Sequence, residues 1–397
     1  MPSPLFRRAA VLGLLSATGP FAIDMYLPAL PALAEDLGTS VAGAQATLTA
    51  YFLAFGLAQL VYGPWSDAVG RRGPLAAGLG LFLLASVGAA LAPDITTLTL
   101  ARALQGLGAA AVMVIPRAII RDWSTGPEAT RLMAMVMLVI SVSPMLAPLA
   151  GSLVILGTGW RAIFWVLAGA AALSLLLTRT ALSETLPPAA RHPVAVSRLR
   201  SDIRALMTDR AFLVLTFIGG FGMASFFVFI ASASFVYTEQ FGLSPTGFSL
   251  AFAINAAGFF GASQMAAGFG ERFGTARVVR AATVGFAVVT AALWGATAAG
   301  LSGLSLIVVM LLLANACLGL VIPSVMVMAL DDQGERAGMA SSLGGTLQMV
   351  TGGVAMALAA PFFDGTATPM VGAIALCGLA AFALTRAVPD QAARLAT

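Results

Sequence analysis

Asp24 is the residue with the most chemistry to do, because it stands in FAIDMYLPALP, inside a run of otherwise apolar side chains. An ionisable group within such a run is a functional-site candidate by default. A carboxyl that alternates between wet and dry surroundings can take up and release a proton. The alternative is a structural carboxylate held permanently by an arginine or by backbone N–H groups. Its expected partner is Arg102, in ARALQGLGAA. At about 1.5 Å per helical residue, the two side chains come to similar depth. Spacing leaves open whether they touch, compete through water, or whether Arg102 is purely structural.

A second group of charges lies in GPWSDAVGRRGPL. Gly63 and Gly70 are expected to permit close backbone approach, and Arg71 and Arg72 to mark a membrane boundary. Asp67 is placed either to cap a helix N-terminus or pair with an arginine, locking one arrangement of the molecule, or to serve as a topological anchor. In SVSPMLAPLAGSL, Pro144, Pro148 and Gly151 should kink a helix and allow tight packing, a conformational role. Tyr26, Gln45, Tyr51, Asn255 and Asn315 place polar groups inside apolar runs, so they face either a cavity or a neighbouring helix. Phe226 and Phe229 could present aromatic faces to an apolar substrate or to lipid. His192 is the only histidine and lies in a polar stretch, while Cys317 and Cys377 fall in apolar runs. No nucleophile–base pair or metal-ligand spacing results, so neither catalysis, a metal nor a cofactor is expected.

These residues are positioned by a chain that must sit mostly in lipid. Of 397 residues, 59% are hydrophobic and 10% charged, where soluble domains carry about a quarter charged. A span takes about 20 apolar residues, and twelve are expected: 9–33, 43–65, 74–93, 95–120, 131–157, 161–182, 211–237, 245–270, 277–299, 302–329, 338–360 and 367–387. The run after Arg7 and Arg8 contains Pro20 and Asp24 and reads as an uncleaved first helix rather than a signal peptide. The domain reading is a six-helix bundle over 1–182, a polar cytoplasmic linker over 183–210, and a second bundle over 211–397.

All 21 basic residues are arginine, and one set of loops holds nearly all of those outside the spans. It includes Arg7, Arg8, Arg71, Arg72, Arg121, Arg131, the linker arginines, Arg272, Arg277, Arg336 and Arg394. The opposite loops hold a single base, Arg161, beside Glu35, Asp36, Asp94, Glu239 and Asp364. Positive charge accumulates in the cytoplasm, so both termini are expected there. The net charge of +4 follows from this distribution and does not indicate nucleic acid. Two echoes suggest related halves: Asp67-x-x-Gly70 matches Glu271-x-x-Gly274, and Val114-Ile115-Pro116 matches Val321-Ile322-Pro323 at a nearly equal offset. Such repeats build a midplane site between rocking halves.

Across nearly the whole chain, an ordered series of strings resembles the major facilitator superfamily, specifically its twelve-helix drug:proton antiporters of the Bcr/CflA type. The series runs IDMYLPALP, GPWSDAVGRR, RALQGLGAA, SPMLAPLAG, GWRAIFWVLA, ETLPP, GMASFFVFIASASFVY and AGMASSLGGT. The resemblance implies two six-helix bundles, alternating access, and a monomer in the bacterial inner membrane. It also implies export of small amphipathic drugs of chloramphenicol, bicyclomycin or sulfonamide type in exchange for protons. Asp24 matches the family's coupling acid, Arg102 its helix 4 arginine, and Asp67 the loop acid that secures one closed arrangement. One departure is that Ala68 follows Asp67 where the usual loop has an arginine or similar polar group. The competing expectation is a dedicated carrier of one endogenous metabolite, such as an amino-acid derivative. A channel or membrane sensor should show a pore ring or an appended soluble domain, and neither is visible.

Overall fold

Proline and lipid together shape the first span. The computed structural model describes residues 4–124, 126–191 and 196–387; His192 and Arg394 lie outside the described residues. Instead of one helix over 9–33, α1 (Pro4–Asp24) stops at Asp24, a 3-10 turn covers Leu27–Ala29, and α2 (Leu30–Asp36) resumes. Pro28 and Pro31 account for the break, since each lacks an N–H and its ring crowds the preceding turn.

The remaining helices are α3 (Val41–Val69), α4 (Arg72–Ala90), α5 (Ile95–Trp123), α6 (Gly126–Thr158), α7 (Arg161–Thr180), α8 (Val196–Thr208), α9 (Arg210–Phe235), α10 (Pro245–Phe273), α11 (Thr275–Ala298), α12 (Leu304–Leu330), α13 (Ala337–Ala359) and α14 (Ala367–Thr385). Among the described residues, twelve segments are long and apolar enough to cross a membrane, α1 and α2 together making the first. Lipid offers backbone groups no partners, so spans must satisfy them internally. Several therefore start on a side-chain cap: Ser40 accepts from Gly43 N at 3.1 Å, Asp94 from Thr97 N at 2.8 Å, Asp209 from Phe212 N at 3.0 Å and Ser244 from Gly247 N at 3.1 Å. The ninth helix passes into a π-helical turn, Val236–Gln240.

The chain divides into two compact units, Met1–Ala195 and Val196–Thr397. In the first, α3 packs on α5, α5 on α4, α4 on α7, and α1 on α6. In the second, α10 packs on α12, α12 on α11, α11 on α14, and α9 on α13. The pairings repeat in order, and so do details. Gly70 ends α3 with φ +102° and Gly274 ends α10 with φ +86°, the two positions of the acid-x-x-Gly echo. A methyl group at Gly106 would strike the Tyr51 carbonyl across the α3–α5 contact, and one at Gly319 the Phe259 carbonyl across α10–α12. Small residues thus let backbones approach where hydrophobic driving force between helices is absent. Within 183–210, Pro188–Ala190 forms a 3-10 turn, and α8 packs on α9 and α13 as part of the second unit. Arg161, the lone base of the opposite loops, pairs with Asp36 at 2.6 Å, and Trp160 Nε1 donates to the same carboxylate at 3.0 Å.

Candidate functional site

Arg102 is fully buried, on the face of α5 turned toward α1 and α3. Its Nη1 donates to the carbonyl of Ala22 at 3.1 Å and also to Gln105 Oε1. Ala22 lies in the last turn of α1, whose carbonyls lose their helical donors where the helix stops. The guanidinium takes the place of one missing N–H. Its Cζ lies over the rings of Tyr51 at 4.5 Å, Tyr26 at 4.8 Å and Phe164 at 5.8 Å, distances at which a ring quadrupole attracts a cation. Gln105 is held in turn by its Nε2 donating to Ser86 Oγ at 2.8 Å.

The tyrosines are themselves fixed. Thr47 Oγ1 donates to Ala44 O at 2.6 Å, which leaves its lone pairs to accept from Tyr26 Oη at 3.0 Å. Tyr51 Oη donates to Gly19 O at 3.2 Å, a second tie to α1. Two guanidinium nitrogens, Nε and Nη2, have no hydrogen-bond partner among the described residues.

Asp24 ends α1 and is 4% exposed. No hydrogen bond or ion pair to it forms among the described residues, so of the relations left open for Asp24 and Arg102, direct contact is not the one seen. Tyr51 lies within electrostatic reach of both charges. The structure therefore brings Arg102, Tyr26 and Tyr51 into one cluster with Asp24 at its edge. Gln45 is buried on α3. In the second unit, Asn315 Nδ2 donates to Asn255 Oδ1 at 3.5 Å, and Asn255 Nδ2 donates to Ala251 O at 3.0 Å. There Phe229 stacks on Phe252 and Phe226 on Phe259.

At the boundary between α3 and α4, Arg71 gathers the charges. It pairs with Asp67 four residues back, donates through Nε to Asp122 Oδ2 at 2.8 Å and through Nη2 to Asp122 Oδ1 at 3.3 Å, and reaches Ser66 Oγ at 2.9 Å. The network forms with Ala68 in place, because Arg71 is one helical turn from Asp67. Glu184, beyond α7, accepts from the backbone N of Arg71 at 2.8 Å and of Arg72 at 3.2 Å, capping the start of α4. Arg72 returns the favour by donating to the Thr178 and Arg179 carbonyls at the end of α7. Gly70 does carry a close approach, its left-handed backbone lying against the Glu184 carboxylate. Gly63 does not: a methyl there meets nothing within 4 Å, since it points away from any packed neighbour. Gly151 closes tightly on the Met25 carbonyl, so the Pro144–Pro148 segment of α6 abuts the break beside Asp24.

Sequence reasoning missed Gln105, Ser86, Phe164, Asp122 and Glu184. Gln105 stands three residues after Arg102, a spacing that shares a helix face, and could have been found. The others arrive from distant elements with no local signal.

The chain matches the model of the Major Facilitator Superfamily over residues 12–356. It is 37% identical to an uncharacterized MFS-type transporter, YdgK, of Bacillus subtilis over 95% of each chain. It is 28% identical to a bicyclomycin resistance protein homolog of Haemophilus influenzae over 92% of each. Its fold is similar to that of a D-xylose-proton symporter, with TM-score 0.77 at 16% identity, covering 98% of this chain and 99% of that one. A multi-pass chain of repeated six-helix pairings with these relatives is a transporter, and it belongs to the Major Facilitator Superfamily.

Proposed function

We propose that the protein is a proton-coupled efflux antiporter for small amphipathic drugs, working by alternating access as a monomer in the inner membrane with both termini in the cytoplasm. The observation that carries this reading is a buried Asp24 carboxyl with no ion pair among the described residues, within electrostatic reach of Tyr51, whose ring lies under an Arg102 with two unpartnered guanidinium nitrogens there. A carboxylate already locked to the arginine would have little freedom to exchange a proton; this one is uncommitted. Protonation of Asp24 from the outer side removes the carboxylate's charge and releases cargo. Reorientation and proton loss to the cytoplasm restore affinity for the next molecule. Each charge moved through the potential is worth about 2.3 kcal/mol per 100 mV, so one proton per cycle supports modest accumulation. The resistance name of the Haemophilus influenzae relative supports drugs as cargo, and the arginine-rich loops support the orientation.

The test is transport in proteoliposomes with an imposed pH gradient, comparing chloramphenicol and bicyclomycin with amino acids and sugars. Gradient-dependent drug movement, lost in Asp24→Asn, is the expected result. Movement unaffected by the gradient removes proton coupling, and movement of an amino acid or sugar alone favours a dedicated metabolite carrier.

A further inference from the structure

The seventh span begins at Arg210, and the helix before it does not continue along the same line. A single residue, Asp209, separates α8 from α9 in extended conformation, with φ −78° and ψ 104°, and a helix cannot run straight through such a residue. The elbow is tied down on both sides. Its N–H donates to the Ala205 carbonyl at 3.1 Å, and its carboxylate accepts from Phe212 N and from Gln333 Nε2, each at 3.0 Å. Thus α8 lies at the edge of the membrane, packed on α9 and α13, with Leu206 fully buried.

The two flanks of α8 differ in charge. On one, Arg198 pairs with Asp202 at 4.0 Å. On the other, Arg200, Arg204 and Met207 follow at helical spacing, which places them in one row. All three are exposed, Met207 by 43%, and neither of these arginines pairs with a carboxylate among the described residues. Like charges one helical turn apart repel, so the row gains from an anion placed between them. A guanidinium meets a phosphate with two parallel hydrogen bonds, whereas the methionine beside it suits hydrocarbon. Phosphate and hydrocarbon occur together in a phospholipid, and a headgroup without an ammonium of its own leaves the phosphate free for the arginines. We propose that the Arg200–Arg204–Met207 row of α8 is a docking surface for an anionic phospholipid of the phosphatidylglycerol type, its phosphate held between the two arginines and its acyl chains starting at Met207. The docking does not depend on the transport reading above.

Native mass spectrometry of the full chain in detergent, titrated with added lipid, reads the binding directly. Dioleoylphosphatidylglycerol should be retained in preference to dioleoylphosphatidylcholine, and the preference should weaken as ammonium acetate is raised, because exposed charges are screened. The double variant Arg200→Gln/Arg204→Gln should lower the apparent affinity for phosphatidylglycerol about 5-fold per arginine, the effect of a basic side chain at an anionic surface. Met207→Glu adds a carboxylate to the same row without removing an arginine, and should lower it too. Arg272→Gln/Arg277→Gln, exposed at another boundary of the same unit, should bind as the unaltered chain does. Glycerol 1-phosphate carries the phosphate without acyl chains and should not displace the lipid. Equal retention of the two lipids, undiminished affinity in the Arg200/Arg204 variant, an equal loss in the Arg272/Arg277 variant, or displacement by glycerol 1-phosphate would overturn the proposal.

Discussion

Arg102 donates to the carbonyl of Ala22 across 3.1 Å, while the carboxyl of Asp24, two residues further on, accepts no hydrogen bond among the described residues. The arginine thus completes the broken end of the first helix, and the acid stays available. Replacing Arg102 with lysine should break this arrangement despite keeping the charge. Lysine is shorter, so its ammonium would not reach the place of Nη1, which makes both hydrogen bonds, and it lacks the delocalised group that interacts with the rings. Leaving a buried carbonyl or Gln105 unsatisfied costs about 1–3 kcal/mol, so Arg102→Lys should show a lowered melting temperature in detergent and little gradient-driven transport. Unchanged melting would mean that the cage around Arg102 contributes nothing.

Asp24→Asn should behave in the opposite way. The substitution keeps size and removes no hydrogen bond or ion pair made among the described residues, so the large destabilisations that follow the breaking of buried networks are not expected. Melting should stay within about 1 kcal/mol of the parent while gradient-driven transport disappears. Destabilisation beyond about 2 kcal/mol would instead mark Asp24 as a structural carboxylate.

The twelve spans are legible in the sequence because lipid leaves few alternatives: an apolar run of about 20 residues has to be helical. Asp24 is legible for the same reason, as a charge where charge is expensive. Arg102 is harder to read. Depth along a helix can be counted from residue numbers, but the direction a side chain faces cannot, and its actual acceptors are a backbone carbonyl and the faces of rings. The break after Asp24 was written in Pro28 and Pro31, yet strong hydropathy across the segment hides it. Glu184 shows the limit most plainly, since only the fold brings it from beyond the sixth span to the start of the third.

Two glycines in the sequence motifs separate close packing from mere helix composition. A methyl at Gly151 runs into the Met25 carbonyl beside Asp24, whereas at Gly63 nothing lies within 4 Å. Overpacking costs about 1–3 kcal/mol, so Gly151→Ala should melt earlier and transport more slowly. Gly63→Ala should be neutral or gain up to about 1 kcal/mol, because alanine gives up less backbone entropy in a helix. Equal melting of the two variants would remove the role assigned to the contact between α6 and the break after α1.

Glu184 makes the boundary clasp sensitive to acid. Partial burial would push its carboxyl up, but the N–H groups of Arg71, Leu186, Arg72 and Thr185 outweigh this and hold it below its ordinary 4.5. A carboxylate whose proton affinity is depressed by folding contributes stability above the unfolded value and loses it as pH falls through the folded one. The contribution should therefore be complete at pH 7 and fade below pH 4.5. Because Glu184 is largely exposed, solvent screening limits it to about 1 kcal/mol. Other acids titrate in the same window, so the measurement is a difference: thermal melts of the parent and Glu184→Gln, taken in parallel from pH 7 to pH 3. The parent should melt higher at neutral pH, with the gap narrowing as the solution is acidified. A constant gap would mean that the negative charge is irrelevant and that shape alone holds the end of α7 against the start of α4.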